Sequence, residues 1–98
     1  MSRIVSIEDS KRKNKRYRVY LDDGSYYDFG LKGGNTYIDH HDKKKRDAYR
    51  KRHLGNETEK HLIESVTPSA SLFAFWLLWG DSINIMKNID DLNKLLDD

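Results

Sequence analysis

Lys15-Arg-Tyr-Arg-Val-Tyr-Leu21, then Asp22-Asp-Gly24, then Ser25-Tyr-Tyr-Asp-Phe-Gly-Leu31: this stretch decides how the chain begins to fold. Its two arms alternate on either side of an Asp-Gly pair. On the first arm Tyr17, Val19 and Leu21 share one face, and Arg16, Arg18 and Tyr20 share the other. On the second arm Tyr27, Phe29 and Leu31 share a face. Successive side chains of a strand point to opposite sides, so each arm can bury one face and solvate the other. Asp-Gly between alternating runs is the strongest short-range hairpin signal, because the tight turn needs residues that tolerate positive φ. Upstream, Arg3-Ile-Val-Ser-Ile-Glu8 reads as a further short strand, followed by a charged turn over 9–14. The region 1–31 is therefore expected to be a three-stranded antiparallel meander.

Lys32-Gly-Gly-Asn35 breaks the sheet pattern. Residues 42–53 read as a helix that Asp39 or Asp42 can cap. Its apolar content is only Ala48, Tyr49 and Leu54, too little for a fully packed core element. Gly55-Asn56 marks its end, and a second helical stretch begins near Thr58 and runs to about Ser65. Pro68 punctuates the chain. Ser69 or Ser71 is placed to cap a helix through Trp79, with Gly80 as its stop. Asp81-Ser82 is the expected cap of a last helix to Leu96, where Ile85, Ile89, Leu92 and Leu96 form an amphipathic stripe. The reading is an α+β fold in one domain over 1–98. The meander at 1–31 precedes a helical part at 39–98, made of a basic helix and two C-terminal helices.

The composition sets limits on function. With 98 residues, 37% hydrophobic and 35% charged, the core is thin, and docking onto other chains is one way to support it. Eleven aromatic residues nevertheless supply large buried areas and argue against disorder. There are no cysteines, which excludes disulfides, thiolate catalysis and Cys-based zinc sites. The opening Met1-Ser-Arg-Ile-Val5 has no continuous apolar run of the signal-peptide kind. The longest apolar run, 72–79, is far short of the roughly 20 residues a spanning helix needs. Net charge is +2, but 1–60 carry 16 Lys/Arg against 10 Asp/Glu while 61–98 carry 2 against 6. One half suits polyanions; the other suits basic partners or the basic half of a second copy.

The densest charge lies in Tyr37-Ile-Asp-His-His-Asp-Lys-Lys-Lys-Arg-Asp-Ala-Tyr-Arg-Lys-Arg-His53. Burying so many charges would be prohibitive, so the segment faces water, an anion or a partner. Metal binding is disfavoured: His40 and His41 are adjacent and point apart, Gly55-Asn56 separates His53 from His61, and no His-Glu-x-x-His pattern occurs. Hydrolysis by Asp39, Asp42 and His40 is disfavoured because cations crowd the acids. The bland alternative is that Asp39, Asp42 and Asp47 pair with Arg46, Arg50 and Lys51 along the helix. Nucleic-acid or anion binding by Lys43, Lys44, Lys45, Arg46, Arg50, Lys51, Arg52 and His53 is the better reading, since phosphate contacts need positive charge in a row. Lys11-Arg-Lys-Asn-Lys-Arg16 adds a second basic patch, and Tyr17, Tyr20 and Tyr26 are candidates to stack bases. The run 72–79 is apolar nearly all round, so either its helix is central or Phe73, Phe75, Trp76 and Trp79 face a protein partner. The expectation is a non-enzymatic protein with no catalytic residue, metal or cofactor.

Two motifs carry a resemblance. Tyr37-x-Asp-His-x-Asp-x-x-Lys-x-x-x-Tyr49-x-x-Arg52-His53 is followed by Thr67-Pro-Ser-Ala-Ser-Leu-Phe-Ala-Phe-Trp-Leu-Leu-Trp-Gly80. From 26 to about 95 the chain resembles a functionally uncharacterised family of small proteins of nucleocytoplasmic large DNA viruses. It departs from that family in its doubled His40-His41 and in the apolar Phe73-Ala-Phe75. The resemblance implies no catalytic residues. It implies a virion component, present in the host cytoplasm during assembly, with other viral structural proteins, nucleic acid or further copies of itself as partners. Two jobs follow as expectations: protein–protein contacts in particle assembly, as a minor capsid or virion-associated protein, or an accessory role in nucleic-acid binding through the basic helix 43–53.

Overall fold

A computed structural model describes residues 3–96; the outermost positions of the expected 1–98 domain lie outside the described residues. The fold is α+β, with one antiparallel sheet at the N-terminal end followed by helices. The strands are β1 (Ile4–Asp9), β2 (Lys15–Leu21) and β3 (Tyr26–Leu31), side by side in chain order. Across β2 and β3, Val19 faces Tyr27 and Tyr17 faces Phe29; across β1 and β2, Ile7 faces Val19. The Asp-Gly turn forms as read: Gly24 adopts φ +89°, and the Leu21 amide donates to the Ser25 carbonyl at 2.9 Å. A register shift between Ile4 and Ser6 leaves Val5 exposed and Ile4 buried.

Leu31 departs from the expected pattern. It is 67% exposed, although it stands two residues beyond the buried Phe29. Gly30 is the cause. Its φ of +78° breaks the alternation at the strand end, and a Cβ there would press into Leu78.

Among the described residues five α-helices follow: α1 (Tyr37–His40), α2 (Lys43–Leu54), α3 (Glu57–Glu64), α4 (Ala70–Phe73) and α5 (Ile85–Leu96). Helix α4 passes into a π-helical turn over Ala74–Leu78, closed by the Trp79 amide donating to the Ala74 carbonyl at 3.3 Å. The Ser69 hydroxyl caps α4 by accepting from the Leu72 amide. Helix α5 starts later than expected. Its first turn is capped by Asn84, whose side chain accepts from the Met86 and Lys87 amides, and not by Asp81-Ser82.

Val19, Leu21 and Phe29 from the sheet meet Leu72, Phe73, Leu77 and Leu78 from α4 and its π-helical turn, and Ile89, Leu92 and Leu96 from α5. Phe73 is 0% exposed, with ring centroids 5.4 Å from Tyr27 and 6.0 Å from Phe29. This segment is the central core element. Phe73 and Phe75, read from sequence as interface residues, are interior: Phe73 because the stretch is sandwiched between the sheet and α5, and Phe75 on another side, where the Arg50 guanidinium of α2 lies over its ring. Trp76 and Trp79 are half-buried.

Two asparagines of α5 are buried, and each uses both its amide oxygen and its amide nitrogen. Asn93 receives the Ile4 amide at 2.8 Å and donates to the Ile4 carbonyl at 3.0 Å, pairing a backbone position of β1 with a side-chain amide. Asn88 donates to the Leu77 and Ser82 carbonyls and receives the Ser82 amide, holding the turn after the π-helical segment. Gly80 lies so close to Trp76 and Asn88 that a side chain would collide with both. Ile85, expected in the buried stripe, is only half-buried.

Candidate nucleic-acid interface

Helix α2 starts at Asp42, whose carboxylate accepts from the Lys44 amide at 2.9 Å and the Lys45 amide at 3.3 Å. Hydrogen bonding to the Lys45 amide, and then to that of Lys44, holds this carboxyl below its usual pKa range. His40 Nδ1 accepts from the Asp42 amide at 2.9 Å. Asp39 is turned the other way. It takes two hydrogen bonds from Arg16, at 2.7 and 2.8 Å, and further ones from the Thr36 amide and hydroxyl. The Arg16 hydrogen bonds hold the Asp39 carboxyl well below the usual carboxylate range. Both acids of the supposed hydrolytic cluster thus hold structure together. Among the described residues no group of three or more His, Asp or Glu side chains is arranged to hold a metal ion.

The ion pairs expected along α2 form differently. Asp47 pairs with its neighbour Arg46 at 3.1 Å, Asp39 pairs with Arg16, and Arg50 reaches Asp81 at 3.2 Å. None of the residues of α2 is buried. The helix is held instead by a half-buried inner side. The Tyr49 ring stacks on Trp79 with centroids 4.2 Å apart and planes 8° from parallel, and also lies 4.0 Å from the His53 ring. Burial, and then the nearby Glu59, push the Tyr49 hydroxyl pKa up to about 12. Arg50 Nε donates to the Trp79 carbonyl at 2.7 Å, and its guanidinium lies 5.2 Å from the Phe75 ring centroid. Arg46 sits 5.0 Å over Tyr37, and His53 Nδ1 is 2.8 Å from a Glu59 carboxylate oxygen.

The eight basic positions read from sequence therefore divide. Arg46, Arg50 and His53 fasten the helix. Lys43, Lys44, Lys45, Lys51 and Arg52 are exposed and, among the described residues, make no ion pair. The fastening aromatics Tyr49 and Trp79 escape sequence reasoning as a pair, because 30 residues separate them. The four-residue spacing of Tyr49 and His53 is the only local signal for this stack.

The second basic patch lies across a groove from α2. Lys11, Arg12 and Lys13 are exposed on the β1–β2 turn. The groove, about 450 Å³, runs from Asn14 on that turn and Lys15 at the start of β2 past Leu31 and Ala74 to Tyr49 and His53 on α2 and Glu59 on α3. A second concavity of about 280 Å³ shares Gly30, Leu31, Tyr49 and Ala74 with it and carries the groove on to Arg52 and Thr36. The sheet tyrosines are less available than expected. Tyr17 packs 6.0 Å from Phe29, and Tyr26, though exposed, has the Arg18 guanidinium 4.2 Å from its ring centroid. Arg18 is itself fixed by Asp28, a carboxylate with 3% side-chain exposure, at 2.9 and 3.1 Å.

A row of exposed cations that make no ion pair among the described residues suits the phosphates of a polyanion, with Arg52 also lying 5.9 Å from the Tyr49 ring centroid. No helix among the described residues is long and apolar enough to cross a membrane. No curated protein and no solved structure matches the chain. One family model does, over residues 5–53, which takes in the sheet, α1 and α2 as far as His53. With half of its 98 residues in that match, the chain belongs to the family of unknown function DUF5754.

Proposed function

We propose that this protein is a non-enzymatic nucleic-acid-binding accessory protein that holds phosphates on the exposed cations of α2. One observation carries the reading. Helix α2 buries none of its residues yet presents Lys43, Lys44, Lys45, Lys51 and Arg52 outward without ion pairs among the described residues. Lysines that merely solvated a helix would lie among compensating acids, whereas on this exposed side only Asp47 dilutes them, and it is paired with Arg46. In the setting implied by the resemblance to large-DNA-virus proteins, the packaged genome supplies the polyanion.

Titration of a fluorescent DNA by anisotropy tests this. Binding should fall steeply with salt, with a log–log slope of roughly −0.9 per phosphate engaged. Lys44→Glu/Lys51→Glu/Arg52→Glu should abolish most of it without changing the circular dichroism. No binding at low salt by the wild-type protein would end the reading.

A second reading, particle assembly through protein contacts, is favoured by a different surface. Val5, Ile83 and Met86 are large and exposed, and Val5 and Met86 line a cleft between β1 and α5. A purified protein that sediments as a monomer and is absent from purified particles would remove that reading.

A further inference from the structure

We infer that the nucleic acid bound is single-stranded, and that it crosses the groove between α2 and the β1–β2 turn so that both basic segments hold one strand. This rests on the reading of α2 as the phosphate-binding element. Three observations carry it further. First, each basic segment gives a cation to the joined groove: Lys15 at one end, and Arg52 at the other through the shared lining of Leu31, Tyr49 and Ala74, while the Glu59 carboxylate on its wall is engaged by His53. A strand passing between them meets a cation at each end, and positively charged grooves that track a backbone are how single strands are held without sequence preference.

Second, the part of the floor between the cations that Leu31 and Ala74 make is apolar, beside the polar Ser71 and the His53-bound Glu59. Leu31 stands exposed there because Gly30 turns the strand end, and Ala74 lies beside it. A duplex presents its sugar–phosphate exterior to such a groove and has no use for an exposed leucine. An unstacked base lays an apolar surface on it. Third, Tyr49 already lies against both Trp79 and His53, so aromatic stacking in this groove is taken up by the fold itself. The base contact is therefore aliphatic, and binding should be indifferent to sequence.

The test compares a labelled oligothymidylate of about 12 nucleotides with a duplex of equal length. It uses the full-length wild-type protein, Lys11→Glu/Lys13→Glu/Lys15→Glu, Leu31→Asp and the α2 triple variant. The expected result is tighter binding of the single strand than of the duplex. The turn variant should bind the single strand about tenfold more weakly or worse, with the salt slope smaller by roughly one for each phosphate it no longer engages. Leu31→Asp, at an exposed position, should weaken the single strand severalfold and leave the duplex unchanged.

If the turn and Leu31 variants bind the single strand like wild type while the α2 variant does not, the groove inference is overturned and the reading of α2 stands. Equal or tighter binding of the duplex overturns it as well. So does a peptide rich in Glu and Leu that binds the groove where the oligonucleotide does not, since the occupant is then a protein. If wild type binds neither oligonucleotide, both readings fall.

Discussion

Helix α2 and the helical segment 70–78 are fixed by opposite means. In segment 70–78, Leu72, Phe73, Leu77 and Leu78 are buried against the sheet and α5, and removal of apolar surface from water holds the segment in place. None of the residues of α2 is buried; it is held by one stacked tyrosine, one arginine on a carbonyl, one arginine over a tyrosine ring and one histidine–carboxylate contact. A core too thin to bury every helix takes in 70–78 and α5, and α2 is tied to it by directional contacts, which leaves its exposed side to carry charge.

The largest effect should come from the core side of that comparison. Phe73→Ala removes a ring packed between Tyr27 and Phe29 and leaves a cavity where sheet and helices meet. It should cost about 3–5 kcal/mol in urea denaturation, enough to unfold much of a marginal domain. A loss below 1 kcal/mol would mean that 70–78 is not the keystone of the core.

Next is the clamp between α5 and β1. Asn93→Ala leaves the Ile4 amide and carbonyl without their side-chain partner. The expected cost is about 1–3 kcal/mol, with faster amide exchange in β1 before other strands respond. Uniform exchange across the sheet would show that Asn93 does not pin this edge.

Arg50→Met tests the other side of the comparison. It keeps an aliphatic stem over Phe75 and removes the donors to the Trp79 carbonyl and Asp81. The expected loss is about 1 kcal/mol. Its signature is local: amides of α2 should exchange faster while those of 70–78 keep their protection. If both helices loosen together, α2 belongs to the same cooperative unit and the contrast between them is too sharp.

That contrast also explains what is legible in the chain. The meander is legible because alternation and Asp22-Asp-Gly24 are local signals, and α2 because Asp42 precedes its first turn. Leu31 misleads because alternation says nothing about the φ of Gly30. Phe73 and Phe75 point to an interface because a helix apolar on all sides can be covered by its own fold or by a partner, and only the packing decides. Asn88 and Asn93 are invisible as core residues, since a buried amide is tolerated only where tertiary neighbours complete its hydrogen bonds. Arg46, Arg50 and His53 group with the free cations for the same reason: Tyr37, Trp79 and Glu59, which engage them, come from other elements.

The smallest effect at neutral pH concerns how α2 is joined to the sheet. The junction at its N-terminal end passes through Asp39, which receives Arg16 from β2 and the Thr36 amide and hydroxyl. Because Arg16 and Thr36 pull the folded-state pKa of Asp39 below the unfolded value of about 3.9, the ionised carboxylate favours the folded state. Its contribution is complete above about pH 5 and drains away as pH falls through 3.9 toward the folded value. Asp28, lowered chiefly by Arg18, behaves in the same sense. Asp39→Asn should therefore melt slightly below wild type at pH 7 and show a shallower decline in Tm between about pH 5 and pH 2, with the remaining slope owed to Asp28 and Asp42. An acid limb as steep as that of wild type would mean that Arg16 and Asp39 do not couple the sheet to the start of α2. The helix would then hang on Arg46, Tyr49, Arg50 and His53, and the exchange pattern of Arg50→Met should extend past residue 42 into α1.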